Sequence, residues 1–172
     1  MRQQVELTVF SFSHRDLLER WLAAPHVAPW YPEPAEHIAW ALNPPLGGER
    51  ALIVTRGEPV GYIRWQLVSR TTLDSVGLFE IPANSADVDL LIGEQDFVGH
   101  GIGPRALQLL TEALQARGDV PLIGLTTSVH NHAARRAFEA SGFQVLRQYA
   151  PSRYGLCYLM VLQLRTGRDL VE

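Results

Sequence analysis

Val88-Asp89-Leu90-Leu91-Ile92-Gly93, followed six residues later by Gly99-His100-Gly101-Ile102-Gly103, is the stretch that decides the fold. The first run is short, apolar and bounded by glycine, the pattern of a buried strand. The second is a glycine loop ahead of a helical stripe: Ile102, Ala106, Leu109, Leu110, Ala113 and Leu114, with Gly118 as the stop. The first N–H groups of such a helix lack intrahelical partners, and the helix dipole adds partial positive charge there. Glycines let a phosphate approach the backbone, and Pro104 suits a first helical turn although it donates no N–H. The pattern predicts an anion site beside a carboxylate, Asp89, on the adjacent strand.

Working outward, strands are predicted at 5–12, 50–56, 59–68, 87–93, 122–127, 144–149 and 156–164. Helices are predicted at 14–23, from Pro34 onward, at 103–117 and at 131–141. Ser13 and Asp16 have the spacing of a capping box for the first of these. Residues 70–86, polar and punctuated by glycine, read as a long connection. The order predicts an α/β fold: a mixed six- or seven-stranded sheet flanked by helices, in one domain over residues 1–172.

Composition narrows the chemistry. The 172 residues carry a formal charge of −3, which speaks against a nucleic-acid surface and for small-molecule partners. All fifteen basic residues are arginine, so P-loop hydrolysis and Schiff-base chemistry, which need lysine, are excluded. The single Cys157 lies in an apolar run and reads as a core residue, not a nucleophile. No His/Cys cluster with metal-ligand spacing stands out, so no metal is expected. No apolar leader or membrane-length segment is visible, and a cytoplasmic location is expected.

Gly101-Ile102-Gly103-Pro104-Arg105-Ala106 fits G-x-G-x-x-A, but a dinucleotide site also needs an acid at the end of the next strand. That strand ends Leu125-Thr126-Thr127-Ser128. A different match covers essentially the whole chain. Val98-Gly99-His100-Gly101-Ile102-Gly103 resembles the (Gln/Arg)-x-x-Gly-x-(Gly/Ala) loop of the GNAT N-acetyltransferases, with Val98 in place of the polar first residue. Asn131-His132-Ala133-Ala134, continuing through Phe138 to Gly142-Phe143, resembles their Asn-x-x-Ala-x-x-x-Tyr-x-x-x-Gly-Phe element. The resemblance implies the GNAT fold and acetyl-CoA as cofactor, held by Leu91, Ile92, Val98, Gly99, His100, Gly101, Ile102, Gly103, Asn131, Ala134 and Phe138. It also implies a sheet splayed beside the strand before the loop, with transfer by direct attack in a ternary complex. Where the family has a tyrosine to protonate the departing thiolate, this chain has Phe138, which carries no proton to give. Tyr149, Tyr154 and Tyr158 are candidate replacements.

Asp87 and Asp89 lie two apart, so on a strand they share a face. An amine must lose a proton to attack a thioester, and a carboxylate can accept it. Asp89 stands fourteen residues before Gly103, as the corresponding aspartate does in aminoglycoside 6'-N-acetyltransferases, which the chain resembles most. Trp21 to Tyr31 is similar to that family's tryptophan-rich segment. The resemblance makes Asp89 the catalytic base and places Trp30, Tyr31, Asp87, Asp89 and Thr126 around a small-molecule amine. Thr126-Thr127 replace the Asp-Pro pair of that family, leaving Glu80, Asp87, Glu94 and Asp96 as candidate compensating acids. The expected partner is the amine alone, with a monomer or homodimer. Two alternatives stand beside this reading. One is acylation of a carboxylate-bearing, hydroxylysine-type amine, which would call for Arg64 or Arg153 in the pocket. The other is a silent module that binds CoA or a drug.

Overall fold

Seven strands join into one sheet in the computed structural model, which describes residues 3–151 and 154–167. In chain order the elements are β1 (Val5–Val9), α1 (Arg15–Ala23), α2 (Pro34–Leu42), β2 (Gly48–Thr55), β3 (Glu58–Val68), α3 (Arg70–Ser75) and β4 (Ser85–Ile92). Then follow α4 (Ile102–Arg117), β5 (Leu122–Ser128), α5 (His132–Ala140), β6 (Gln144–Tyr149) and β7 (Cys157–Gln163). The sheet order is β1-β2-β3-β4-β5-β7-β6, and only β4 and β5 run parallel.

That parallel pair positions the site. β4 pairs with β3 from Ser85 through Ile92, but with β5 only at Ala86↔Ile123 and Asp87↔Gly124. Beyond Asp87 the two strands part. The gap has Leu90 and Ile92 on one lip and Thr126 to Ser128 on the other.

Residues alternate between the two faces of each strand, and helices cover both faces unequally. On one face Ile102, Ala106, Leu107, Leu110 and Leu114 of α4 pack on Ile53, Ile63, Val88, Ile123 and Met160. On the other, Leu18, Trp21 and Leu22 of α1 and Ile38 and Ala41 of α2 pack on Leu52, Tyr62 and Leu91. Farther along that second face, Leu73 and Ile81 cover Leu122, Leu159 and Val161. Between these last two clusters runs a polar stripe: Arg64, Gln66, Asp87, Asp89 and Thr126. Each fully buried leucine contributes about 1.5–3 kcal/mol to holding the layers together.

Three expectations need correction. The strand predicted at 5–12 stops at Val9, and a 3-10 turn occupies Phe12–His14. The capping box belongs to that turn: the Ser11 N–H donates to His14 Nδ1 at 3.0 Å, while Ser13 bonds only the Ser11 hydroxyl. The long connection contains α3. Its sequence is polar and buries only Leu73, so no apolar period reveals it. It is held by the Ser69 cap on Thr72 N (3.2 Å) and by Arg70 donating to the carbonyls of Ile81 (2.7 Å) and Leu78 (3.0 Å). No helix among the described residues is long and apolar enough to cross a membrane.

Candidate active site

Gly99 (φ +80°) and Gly101 (φ +76°) both sit in the left-handed region, where a side chain is strained. Nothing stands within 4 Å of the Cβ that either would carry, so the space over the loop is open. The first bond inside α4 runs from Arg105 N to Gly101 O at 3.1 Å. Among the described residues the N–H groups of Ile102 and Gly103 have no acceptor. A Cβ on Gly103 would reach Leu90 Cδ1 at 3.7 Å, so the loop lies against the lip of β4. A groove of about 730 Å³ starts at His100 to Ile102 and follows Pro104, Arg105 and Gln108, with Ala140 and Ser141 also in its lining. Open glycines, unspent N–H donors and a helix start fit a pyrophosphate.

Asn131 caps α5, its Oδ1 accepting from Ala134 N at 3.2 Å. Phe138 is half-buried in the core, its ring 6.2 Å from that of Phe143, and brings no hydroxyl to the gap. Val98 is 44% exposed, consistent with a position where the family's polar side chain is dispensable to the fold. Leu91 departs from its expected role: its side chain is buried beneath α1 and α2, and its carbonyl faces Gly61 of β3, not the gap. Strand alternation reserves the gap for Leu90 and Ile92.

On the opposite face Asp89 and Arg64 are cross-strand partners, as are Asp87 and Gln66. Tyr31 donates to Asp89 Oδ1 at 2.8 Å and stands 3.0 Å from the Leu90 carbonyl. Burial, then the Asp89 charge, pushes the Tyr31 hydroxyl well above its ordinary value, so it remains a donor. Arg64 Nε is 3.9 Å from Asp89 Oδ2, and its guanidinium lies over the Trp40 ring at 4.4 Å. It makes no hydrogen bond among the described residues. The notch lined by Trp40, Arg64, Trp65, Gln66, Asp87 and Asp89 measures only about 30 Å³, room for about one water.

Asp87 is reached by water, yet it lines the narrow notch beside Arg64, Gln66 and Trp40. Desolvation by its packed neighbours pushes the carboxyl up to about 6, with Arg64 pulling it down and Asp89 pushing it up. Opposite it, Gly124 puts no side chain in the cleft. Thr126 and the Tyr149 hydroxyl are hydrogen-bonded partners on the far lip. Burial raises the Tyr149 hydroxyl, as does the Asp87 charge, so the two groups share one electrostatic field.

Asp87 and Asp89 line one notch, Tyr31 is hydrogen-bonded to Asp89, and Thr126 lies on the same sheet face on the neighbouring strand, bonded to Tyr149. Trp30 stands at the surface, 36% exposed. Trp40, which the sequence reading did not single out, lies in the notch beside the carboxylates. Of the candidate compensating acids, Glu94 is bound by Arg20 (2.6 Å) and Trp21 Nε1 (2.9 Å), and Glu80 by Arg147. Tyr154 stands 3.5 Å from Nε2 of buried His37, and Tyr158 lies under the Arg135 guanidinium. Arg153 lies outside the described residues. Cys157 is 1% exposed and burial raises its thiol, so it is no nucleophile. Among the described residues no group of His, Cys, Asp and Glu could hold a metal.

A sheet parted between two parallel strands, with an anion cradle at one lip and carboxylates on the opposite face, is the architecture of a CoA-dependent acyltransferase. A family model for the acetyltransferase (GNAT) domain matches residues 12–150, and the chain belongs to this family of acetyl-CoA-using enzymes. The aminoglycoside acetyltransferase AAC(6')-Ib, solved with coenzyme A, superposes with a TM-score of 0.80 at 22% identity, over 93% of this chain and 95% of that one. An uncharacterized Bacillus halodurans protein gives 0.81 at 18% identity, over 94% and 84%. The aminoglycoside N(6')-acetyltransferase of Legionella pneumophila gives 0.71 at 18% identity, over 95% and 92%. No curated protein sequence matches significantly.

Proposed function

We propose that this acetyltransferase moves the acetyl group of acetyl-CoA directly onto a primary amine of an aminoglycoside-class acceptor, with Asp89 as the base. The observation that carries the reading is Asp89 itself: a carboxylate oriented by Tyr31, on the strand that borders the gap, opposite the glycine loop. AAC(6')-Ib, with the same fold, has been solved with kanamycin and coenzyme A. Acetylation of such antibiotics in the cytoplasm would be a resistance function.

The cofactor supplies an activated thioester. Residues 99–103 hold its diphosphate through backbone N–H groups and the α4 dipole. The lips of the gap, Leu90 and Ile92 against Thr126 to Ser128, orient the arm that carries the acyl group. Asp87 and Asp89 would hold the acceptor's ammonium; Asp89 takes one proton, the freed nitrogen attacks the thioester carbonyl as the C–S bond breaks, and CoA leaves as a thiolate that draws its proton from water. Buried Cys157 offers no cysteinyl acyl-enzyme route. Thiol release from acetyl-CoA over a panel of primary amines tests the reading. Aminoglycosides should turn over, and a panel without release would overturn it.

Arg64 favours a second reading. A half-buried guanidinium with unspent donors, beside the base, suits an acceptor that carries a carboxylate near its amine. In Arg64→Gln, such amines should lose at least ~10-fold in kcat/KM while aminoglycosides gain, because one buried charge-assisted contact is worth about 1.5–3 kcal/mol. Equal change for both classes would remove this reading.

A further inference from the structure

β4 leaves β5 after Asp87, so the carbonyls of Leu90 and Ile92 point from an open strand edge into the gap. A bare edge of this kind is an unsatisfied row of acceptors. Here each already accepts one hydrogen bond, and from side chains of one short segment that stands in front of the edge. The Tyr31 hydroxyl reaches Leu90 O at 3.0 Å, and His26 Nε2 meets Ile92 O at 2.9 Å. The segment 24–31 is wound tightly enough to hold them there: Val27 N and Ala28 N both donate to Ala24 O at 2.9 Å, and Tyr31 N donates to Ala28 O. Its root is fixed by Trp21, which packs on Gly93 so closely that an added Cβ would lie 2.0 Å from the indole.

Tyr31 has a second acceptor. Its oxygen is also 2.8 Å from Asp89 Oδ1. A phenol carries one proton, which must be shared between the strand edge and the carboxylate.

We propose that the 24–31 segment, through His26 and Tyr31, is a built-in cap on the open edge of β4. The amide groups of the acetyl-CoA arm displace this cap and so turn the Tyr31 proton wholly onto Asp89. Tyr31 is thereby a positioning residue: seating of the cofactor fixes the carboxylate that will meet the amine. The inference rests on the acetyltransferase reading, since it needs CoA in the gap. It holds for either class of acceptor.

Competition for the edge carbonyls can be measured without turnover. Calorimetric titration of CoA into the wild type, Tyr31→Phe and His26→Ala reads it directly. Phe keeps the ring that stacks edge-on against His37 at 4.9 Å and removes only the hydroxyl. With one competing hydrogen bond gone, CoA should bind about threefold to tenfold tighter in each variant. Steady-state kinetics of Tyr31→Phe should show the matching split, a lower KM for acetyl-CoA together with a lower kcat. Unchanged or weaker CoA binding in both variants, with melting temperatures intact, would overturn the cap. CoA binding to none of the three proteins would instead overturn the acetyltransferase reading on which it stands.

Discussion

Replacing Asp89 with asparagine removes the base and its charge while keeping its shape. Asn keeps the volume and an amide oxygen in place of Oδ1, so Tyr31 retains an acceptor at the 2.8 Å position. What is lost is the ability to take a proton and the charge beside Arg64. The one nearby substitute is Asp87, on the same face but two residues back, about 6.6 Å along the strand. That offset leaves Asp87 able to help hold the ammonium but poorly placed to take the proton in the place of Asp89. General-base catalysis is worth 10²–10⁴-fold, and a poor substitute leaves the loss near the lower end. We expect kcat to fall at least ~100-fold, or about 2.7 kcal/mol of barrier. CoA affinity should fall only a few-fold: the backbone of residues 99–103 is untouched, while the Tyr31 proton, drawn less to a neutral amide, shifts toward the Leu90 carbonyl at the gap edge. The assay is thiol release with the best amine of the panel, with calorimetric CoA binding alongside. Turnover within ~10-fold of wild type in a folded Asp89→Asn protein would refute the assignment.

Two further substitutions test the frame around the site. Gly93→Ala places a Cβ 2.0 Å from Cγ of Trp21, which is 1% exposed and cannot swing away without dragging α1 off the sheet. Such overpacking costs about 3 kcal/mol and should lower the melting temperature by about 6–12 °C; a drop under 2 °C would mean that Trp21 is not pinned. Asp87→Asn tests desolvation in the cleft. Its carboxyl is raised to about 6 in the folded protein, so its charged form is disfavoured by folding. The penalty is absent below the unfolded carboxyl range near pH 4, grows as pH rises through about 6, and is full above it. Asp87→Asn should therefore stabilise the protein at pH 8, by about 1 kcal/mol once solvent screening of this exposed group is discounted, and leave it unchanged near pH 4. Equal effects in denaturant melts at both pH values would contradict the desolvation.

Legibility in the sequence followed how local each cause is. α4 and its loop announce themselves because Gly99, Gly101 and Gly118 are required by backbone conformation, and the buried stripe repeats at helical spacing. Even there the buried face is turned: Leu107 is buried where Ala113 was expected. α3 was illegible because its support comes from Arg70 bonding carbonyls eight and eleven residues away, which no periodic pattern encodes. The Ser11 cap was missed because its partner is a histidine ring, not the usual acid.

The same distinction divides the site. The cofactor half is made of backbone, and backbone geometry is written locally: two left-handed glycines, a capping asparagine, a helix start. The acceptor half is made of side chains from five elements and a loop, and only the sheet register unites them. Asp89 meets Arg64 because β4 pairs antiparallel with β3, and Arg64 meets Trp40 because α2 packs over that face. Thr126 comes into play because β5 leaves β4 one turn of the pleat earlier. Nothing in the spacing of residues 31, 40, 64, 89, 126 and 149 foretells this company. It follows that substitutions along the polar stripe can change the acceptor without touching the loop. The decisive variable for substrate class is then the net charge of that stripe, two carboxylates against one unspent guanidinium, and Arg64 is the residue whose removal moves it furthest toward polycations.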